Sequence, residues 1–383
     1  MTATQHDLFS DSETQSRTDL PVHGLARYLD DPSTCVSLWT FRLPGESQTR
    51  LWMKGDPIDA LVPVAQHIER GGLMWCHNVQ FDQNIWNHIL RRTFPNLPHW
   101  TIEQSRCTAA RARYNGLPGS LERACEAMGL PVQKDMEGKA VMMQIATNPD
   151  WTPQTHPNEF ARQARYGVTD TDAMIGLHAA TLPMPARQQA LFEADMRINE
   201  RGFPVDVAAA QAMEDMRELA LELIDYQITV LTEGKILAAS EIAKLKDYAA
   251  TLGEDIDDAG REALKKMATR DDIPDDLKAL IALRLDASRA PKKAAAILRA
   301  HVDNRMKFSL LFHGALSGRW TAVGCGGVQA HNFARPRPGK SAEDCAEMLD
   351  MVRTNDLAGL AEKHGPVLAA LADAQRALVR AED

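Results

Sequence analysis

Three short stretches of this 383-residue chain place acidic residues where they could act together. The first, LFSDSETQS, puts Asp11 and Glu13 two residues apart, directly after a short apolar run. In a strand, residues i and i+2 point to the same face, so both carboxylates would project together. Like charges that close are costly unless a cation lies between them. The second stretch is WCHNVQFDQNIW. Its apolar run ends in His77-Asn78, and Asp82 follows one turn into the next helix. Strand and helix together fix a carboxylate at such a place. The third is ARYGVTDTDAMIGLH, in which Tyr166 and Asp170 stand at i and i+4. On a helix these are surface neighbours about 6 Å apart. Of the five tyrosines, only Tyr166 has an Asp four residues on. Taken singly, each stretch is more often structural, since acids favour early helix turns for the dipole alone. A second D-x-E, Asp135 and Glu137, lies in the polar stretch QKDMEGK and reads as solvated.

The elements that must position these residues follow from hydrophobic periodicity. HDLFS, CVSLWTFRL, TRLWM and GLMWCH are short apolar or alternating runs between polar turns, the pattern of strands. After GLMWCH, Phe81, Ile85 and Ile89 fall at i, i+4 and i+8, one helical face, with Asn78 expected as the N-cap. Residues 119–182 read as helical, with prolines at 149, 153 and 157. From 186 to 312 strand signal is nearly absent, and an Ala/Leu/Glu-rich helix is expected to end near Gly234. A Gly/Pro-rich stretch follows, then two amphipathic helices at about 341–358 and 366–380. The expected domains are 1–185, 186–312 and 313–383.

Composition is that of a globular chain, 44% apolar and 25% charged, with no apolar run long enough to span a bilayer. The start has no basic end or apolar core segment, so no secretory signal is expected, and a cytoplasmic location is. The six Cys form no C-x-x-C pair, which suggests neither a zinc site nor a disulfide framework. Net charge is −9, yet Arg284 to Lys340 holds eleven Lys and Arg against two Asp, or +9. Such a stretch is either a solvated helix face or a local phosphate-binding surface.

The order D-x-E, N-x-x-F-D, Y-x-x-x-D resembles the DEDD exonuclease superfamily, and the tyrosine its DEDDy branch. That branch includes the proofreading domains of family A DNA polymerases. The resemblance implies an α/β, ribonuclease-H-like domain with a mixed sheet flanked by helices. It implies two Mg²⁺ ions, replaceable by Mn²⁺, held by Asp11, Glu13, Asp82 and Asp170; two-metal sites place their ions roughly 3.5–4 Å apart. Tyr166 would hydrogen-bond the attacking water, because a phenol with a pKa near ~10 is a poor base at neutral pH. Asn78 and Phe81 would meet the single-stranded 3′ end.

The second half resembles the phage-type branch of family A polymerases. INERGFPVDVAAA is similar to the start of the thumb. HGALSGRW and VQAHNFARP are similar to G-A-x-T-G-R-W and Q-x-Q-N-L-P-R-P, with departures at Ser317, His331, Phe333 and Ala334. The resemblance implies an elongated all-α thumb-like domain, an incomplete palm, and primer-template contacts at Lys292, Lys293, Arg305, Arg319, Gln329, Asn332 and Arg335. The polymerase palm carboxylates have no counterpart here, so no primer extension is expected from this chain alone. A second polypeptide carrying the remaining palm and fingers is an expected partner, and a membrane is not. Two other readings stand beside a 3′→5′ exonuclease: the DNA-gripping part of a two-part polymerase, and an RNA-processing nuclease similar to ribonuclease D.

Overall fold

The computed structural model describes residues 7–130, 136–322, 328–329, 332–333 and 335–381. Asp135, the 323–327 stretch, His331 and Ala334 lie outside them, while Glu137 falls within a helix, Met136–Ala146. The chain divides into two compact units, Met1–Gly202 with Ala300–His331, and Phe203–Arg299 with Asn332–Asp383. The expected three-segment division cuts across both. In the first unit, hydrogen bonds from residues 195–199 to residues 308–320 hold the two segments together.

The first unit is built on a five-stranded mixed sheet. Its strands are β1 (Asp7–Gln15), β2 (Cys35–Arg42), β3 (Arg50–Met53), β4 (Leu73–Cys76) and β5 (Ser105–Cys107), in the spatial order β3-β2-β1-β4-β5. β1 pairs antiparallel with β2 and parallel with β4, and β4 pairs parallel with β5. β1 runs further than its apolar residues suggest, so Asp11 and Glu13 lie inside the strand rather than after it. Three indoles, Trp39, Trp86 and Trp100, are fully enclosed in the core. Trp39 and Trp86 meet edge to face with ring centroids 5.3 Å apart.

Two helices carry the remaining acids. Two residues separate β4 from α1 (Val79–Asn84), which continues through a π-helical turn, Ile85–Leu90. Ile85 and Ile89 are buried there and Phe81 is partly buried, as the periodicity predicts. α2 (Pro157–Ala180) packs over β1 and β2. Gly167 lets it come close: a Cβ there would lie 2.7 Å from Leu38 Cδ2 and 3.2 Å from Thr40 Cγ2. The hydroxyls of Thr40 and Thr171 meet at 2.7 Å, and Gln163 donates to Ser37 Oγ at 2.9 Å, which sets the helix in register with β2.

The first unit also takes in α3 (Ala186–Arg201) and a small antiparallel pair, Leu310–Leu311 with Thr321–Ala322. HGALSGRW forms the turn of that pair, with His313 at φ 49 and Gly318 at φ 75.

The second unit is helical. Its long helix α4 (Val207–Leu231) buries Met213, Met216, Ala220, Ile224 and Ile228, a regular stripe. Helices Asp275–Ala287, Ala342–Arg353 and Val367–Ala374 pack against α4. Asp206 caps α4 by accepting from Ala209 N at 3.0 Å, and it also receives Arg353 at 2.7 Å. The two helices expected at the end of the chain are three, Ala342–Arg353, Leu357–His364 and Val367–Ala374. The extra break falls at Asn355, whose φ of 56 is incompatible with a continuing helix.

Candidate active site

The four acids singled out in the sequence are brought into mutual electrostatic range by three elements. β1 supplies Asp11 and Glu13, α1 supplies Asp82, and α2 supplies Asp170. Parallel pairing of Phe9 with Trp75 sets the end of β4, and hence α1, beside the middle of β1. There Ser12 N–H and Ser12 Oγ both donate to Asp82 Oδ1, at 3.0 and 2.6 Å. Asp82 is 2% exposed and Ser12 7%.

The electrostatics are those of an anionic cluster in a poorly solvated place. Burial holds the Asp11 carboxyl well above the usual carboxylate range, and the charges of Asp82, Glu13 and Asp170 push it further. Glu13 is raised by burial, then by Asp170 and Asp82. Burial also raises Asp82, opposed by the two Ser12 bonds. Asp170 is pushed up to about 6 by burial, against a hydrogen bond from the Tyr166 hydroxyl. Tyr166 itself is raised, first by burial and then by Asp170 and Glu13, so its phenol stays protonated at neutral pH. The expected i, i+4 pair therefore stands on one helix within electrostatic range.

These donors fit a hard divalent cation: all are carboxylate oxygens, and their repulsion falls when positive charge lies among them. Among the described residues no three His, Cys, Asp or Glu side chains are already gathered around one point at metal-binding spacing.

Asn78 does not cap α1 with its side chain. It sits at φ 79, ψ 49, a left-handed geometry in which the side chain makes no bond to the first helical N–H groups. Its carbonyl accepts from Phe81 N at 2.9 Å, and its side chain is exposed. The Phe81 ring lies 6.3 Å from that of Tyr28.

The residues expected to meet duplex DNA fall on both units. In the second, Lys292, Lys293, Asn332 and Arg335 line a cavity of about 400 Å³ together with Arg261 and Arg289. In the first, Arg305 donates to the carbonyls of Arg201 and Gly202 at 2.6 and 2.9 Å, which turns that guanidinium inward. Arg319 is exposed and Gln329 partly buried. Next to Arg319, the Trp320 indole donates to Asp195 Oδ1 of α3 at 2.6 Å.

Two features of the site carry no signature in the sequence. One is Ser12, a serine between two acids with no periodicity to mark it. The other is a buried junction around Asn199. Its Nδ2 donates to Gln80 Oε1 at 3.0 Å, Asp195 Oδ2 at 3.3 Å and Leu310 O at 3.0 Å, and its Oδ1 accepts from Leu310 N at 2.8 Å. These partners are up to 119 residues away in the chain, so no local pattern could reveal them.

No protein-family model matches the chain. A DNA polymerase of Bacillus phage SP02 is 25% identical over 334 residues, 81% of this chain and 49% of that protein. Over those residues the chain is similar to that phage DNA polymerase. It spans about half the length of this curated relative. Among solved structures, the POL domain of Pol1 from M. smegmatis, in complex with DNA primer-template and dNTP, is similar with a TM-score of 0.47 and 14% identity. That match covers 86% of this chain and 52% of the other. No helix among the described residues is long and apolar enough to cross a membrane.

Proposed function

We propose that this chain is a divalent-metal-dependent 3′→5′ exonuclease acting on DNA ends, the proofreading activity of a family A polymerase. The observation that carries the reading is that Asp11, Glu13, Asp82 and Asp170, from three separate elements, come within electrostatic range, Asp82 and Asp170 raising the proton affinity of both Asp11 and Glu13. Poorly solvated like charges are strongly unfavourable unless a function requires them. The sheet order β3-β2-β1-β4-β5, with β2 alone antiparallel to the other strands, supports a ribonuclease-H-like domain.

Asp11, Glu13, Asp82 and Asp170 would hold two Mg²⁺ ions, which when bound supply water activation at neutral pH and neutralise charge building on the phosphate. The chain's own residues do the rest. Asp11, flanked electrostatically by the other three, is the central acid. Ser12 holds Asp82. Tyr166, protonated and one turn from Asp170 on the same helix, offers a hydroxyl beside the attacking water. Water adds to the terminal phosphorus, the bond to the 3′ oxygen breaks, and that oxygen leaves with a proton. The products are a nucleoside monophosphate and a strand one nucleotide shorter.

The cation-lined cavity of the second unit supports DNA as the polymer that is gripped. It would serve equally the second reading, a DNA-holding part without cleavage. A 5′-labelled single strand incubated with protein and Mg²⁺, with Asp82→Ala alongside, separates the two. A ladder shortening from the 3′ end and absent in the variant is expected. A strand that stays intact yet shifts on a native gel overturns the nuclease and leaves the binding role.

A further inference from the structure

We infer that Ser12 is a positioning residue that sets the Asp82 carboxylate relative to Asp11 and Glu13; the inference rests on the nuclease reading above. Both Ser12 donors end on one oxygen, Asp82 Oδ1, at 3.0 Å from N–H and 2.6 Å from Oγ. The hydroxyl bond lies in the short range of charge-assisted O–H···O⁻ contacts, about 2.5–2.7 Å. With Ser12 7% and Asp82 2% exposed, bulk water does not compete for either partner.

The geometry gives one tripeptide two tasks. β1 carries Asp11, Ser12 and Glu13 in succession. From there Ser12 reaches Asp82, seventy residues on and borne by a different element. Because two donors share Oδ1, the carboxylate cannot rotate about its Cβ–Cγ bond without breaking both. Asp82 lies in the first turn of a six-residue helix, and its helix supplies no side-chain cap at Asn78 to stiffen that turn. Ser12 therefore ties Asp82 directly to the strand carrying the other two acids, where a cation shared between strand and helix needs it.

The test compares the full chain with Ser12→Ala and Ser12→Thr in two readouts: Mn²⁺ binding followed by electron paramagnetic resonance, and steady-state cleavage of single-stranded DNA. Ser12→Ala keeps the backbone donor and removes the hydroxyl. Both Mn²⁺ affinity and kcat are expected to fall about 10–100-fold, the usual effect of losing a group that orients a metal ligand, with KM for DNA unchanged. Ser12→Thr restores the hydroxyl and keeps both near wild type. The inference is overturned if Ser12→Ala matches wild type in both readouts, or if Ser12→Thr loses as much as Ser12→Ala. If Mn²⁺ binds, weakens in Ser12→Ala, and no protein cleaves, the positioning role stands and the nuclease reading fails. If wild type neither binds Mn²⁺ nor cleaves, both fail.

Discussion

The indole of Trp320 donates a 2.6 Å hydrogen bond to Asp195, a carboxylate only 3% exposed although the tryptophan itself is 43% exposed. Burial pushes the Asp195 carboxyl up to about 6, opposed by the Trp320 bond and by Arg113. Asp195 therefore contributes stability that is fully present below its unfolded pKa of about 3.9 and is lost as pH rises through about 6. Trp320→Phe removes the donor that eases the charged form. It should destabilise the fold by about 1–3 kcal/mol at pH 8, where the carboxylate is ionised, and by clearly less at pH 4.5. Urea melts at the two pH values check this. An equal loss at both would mean that Trp320 acts only by packing.

Asp11 and Glu13, poorly solvated and raised further by the charges of Asp82 and Asp170, store repulsion in the first unit. Asp11→Asn removes the central charge without changing side-chain size. In EDTA this variant should melt higher than wild type. Added Mn²⁺ should raise the melting temperature of wild type and leave that of Asp11→Asn nearly unchanged, because a ligand stabilises only the form that binds it. If wild type ignores Mn²⁺ at millimolar levels, these carboxylates do not form a cation site. Cleavage should be absent in Asp11→Ala and in Asp170→Ala, each with a retained cooperative melt.

Gly167 is the contact point between α2 and β2, with Leu38 Cδ2 only 2.7 Å from where a Cβ would stand. Leu38 is 1% exposed and has little room to yield. Gly167→Ala gains helix propensity of up to about 1 kcal/mol, which offsets part of the crowding. Gly167→Val adds branching and volume, and overpacking should win by about 1–3 kcal/mol. Tyr166 and Asp170 flank this contact on the same helix, so the proposed exonuclease activity should fall even where the protein stays folded. A stable, fully active Gly167→Val would show that α2 can shift without moving the acids.

Much of this site is legible in the sequence because its parts have local signatures. β1 to β4 carry apolar or alternating runs, and the face of Phe81, Ile85 and Ile89 keeps helical spacing. β5 escapes because it is three residues long with Arg106 at its centre, too short and polar for periodicity. Asn78 follows cap statistics by residue type, but its left-handed backbone takes the side chain out of capping geometry. The assignment of 186–202 and 300–331 to the sheet-bearing unit is invisible locally. It depends on Asn199 and Asp195 bonding to Leu310 and Trp320, more than a hundred residues away. Ser12 is likewise meaningful only once α1 is folded against β1.

Arg319 and Arg335 test DNA binding on the two units separately. Arg335 lines a cavity shared with Lys292, Lys293, Arg261 and Arg289, where an anion gains from several cations at once. Arg319 is exposed in the turn between Leu311 and Thr321, and its carbonyl accepts from Ala315 N at 3.1 Å, which fixes the turn and leaves the side chain outside that bond. Removing one phosphate-binding side chain should lower the salt slope of binding, the slope of log K against log[salt], by about 1 and weaken binding uniformly across sequences. Arg335→Ala and Arg319→Ala should each do this for a primer-template duplex, measured by fluorescence anisotropy from 50 to 200 mM salt, roughly the range over which such effects are resolved. Arg305→Ala should instead lower the melting temperature with little change in slope, because its guanidinium is bonded to the carbonyls of Arg201 and Gly202. An unchanged slope for Arg319→Ala would mean that this residue does not touch phosphate. A reduced slope for Arg305→Ala would mean that its backbone bonds open when DNA binds.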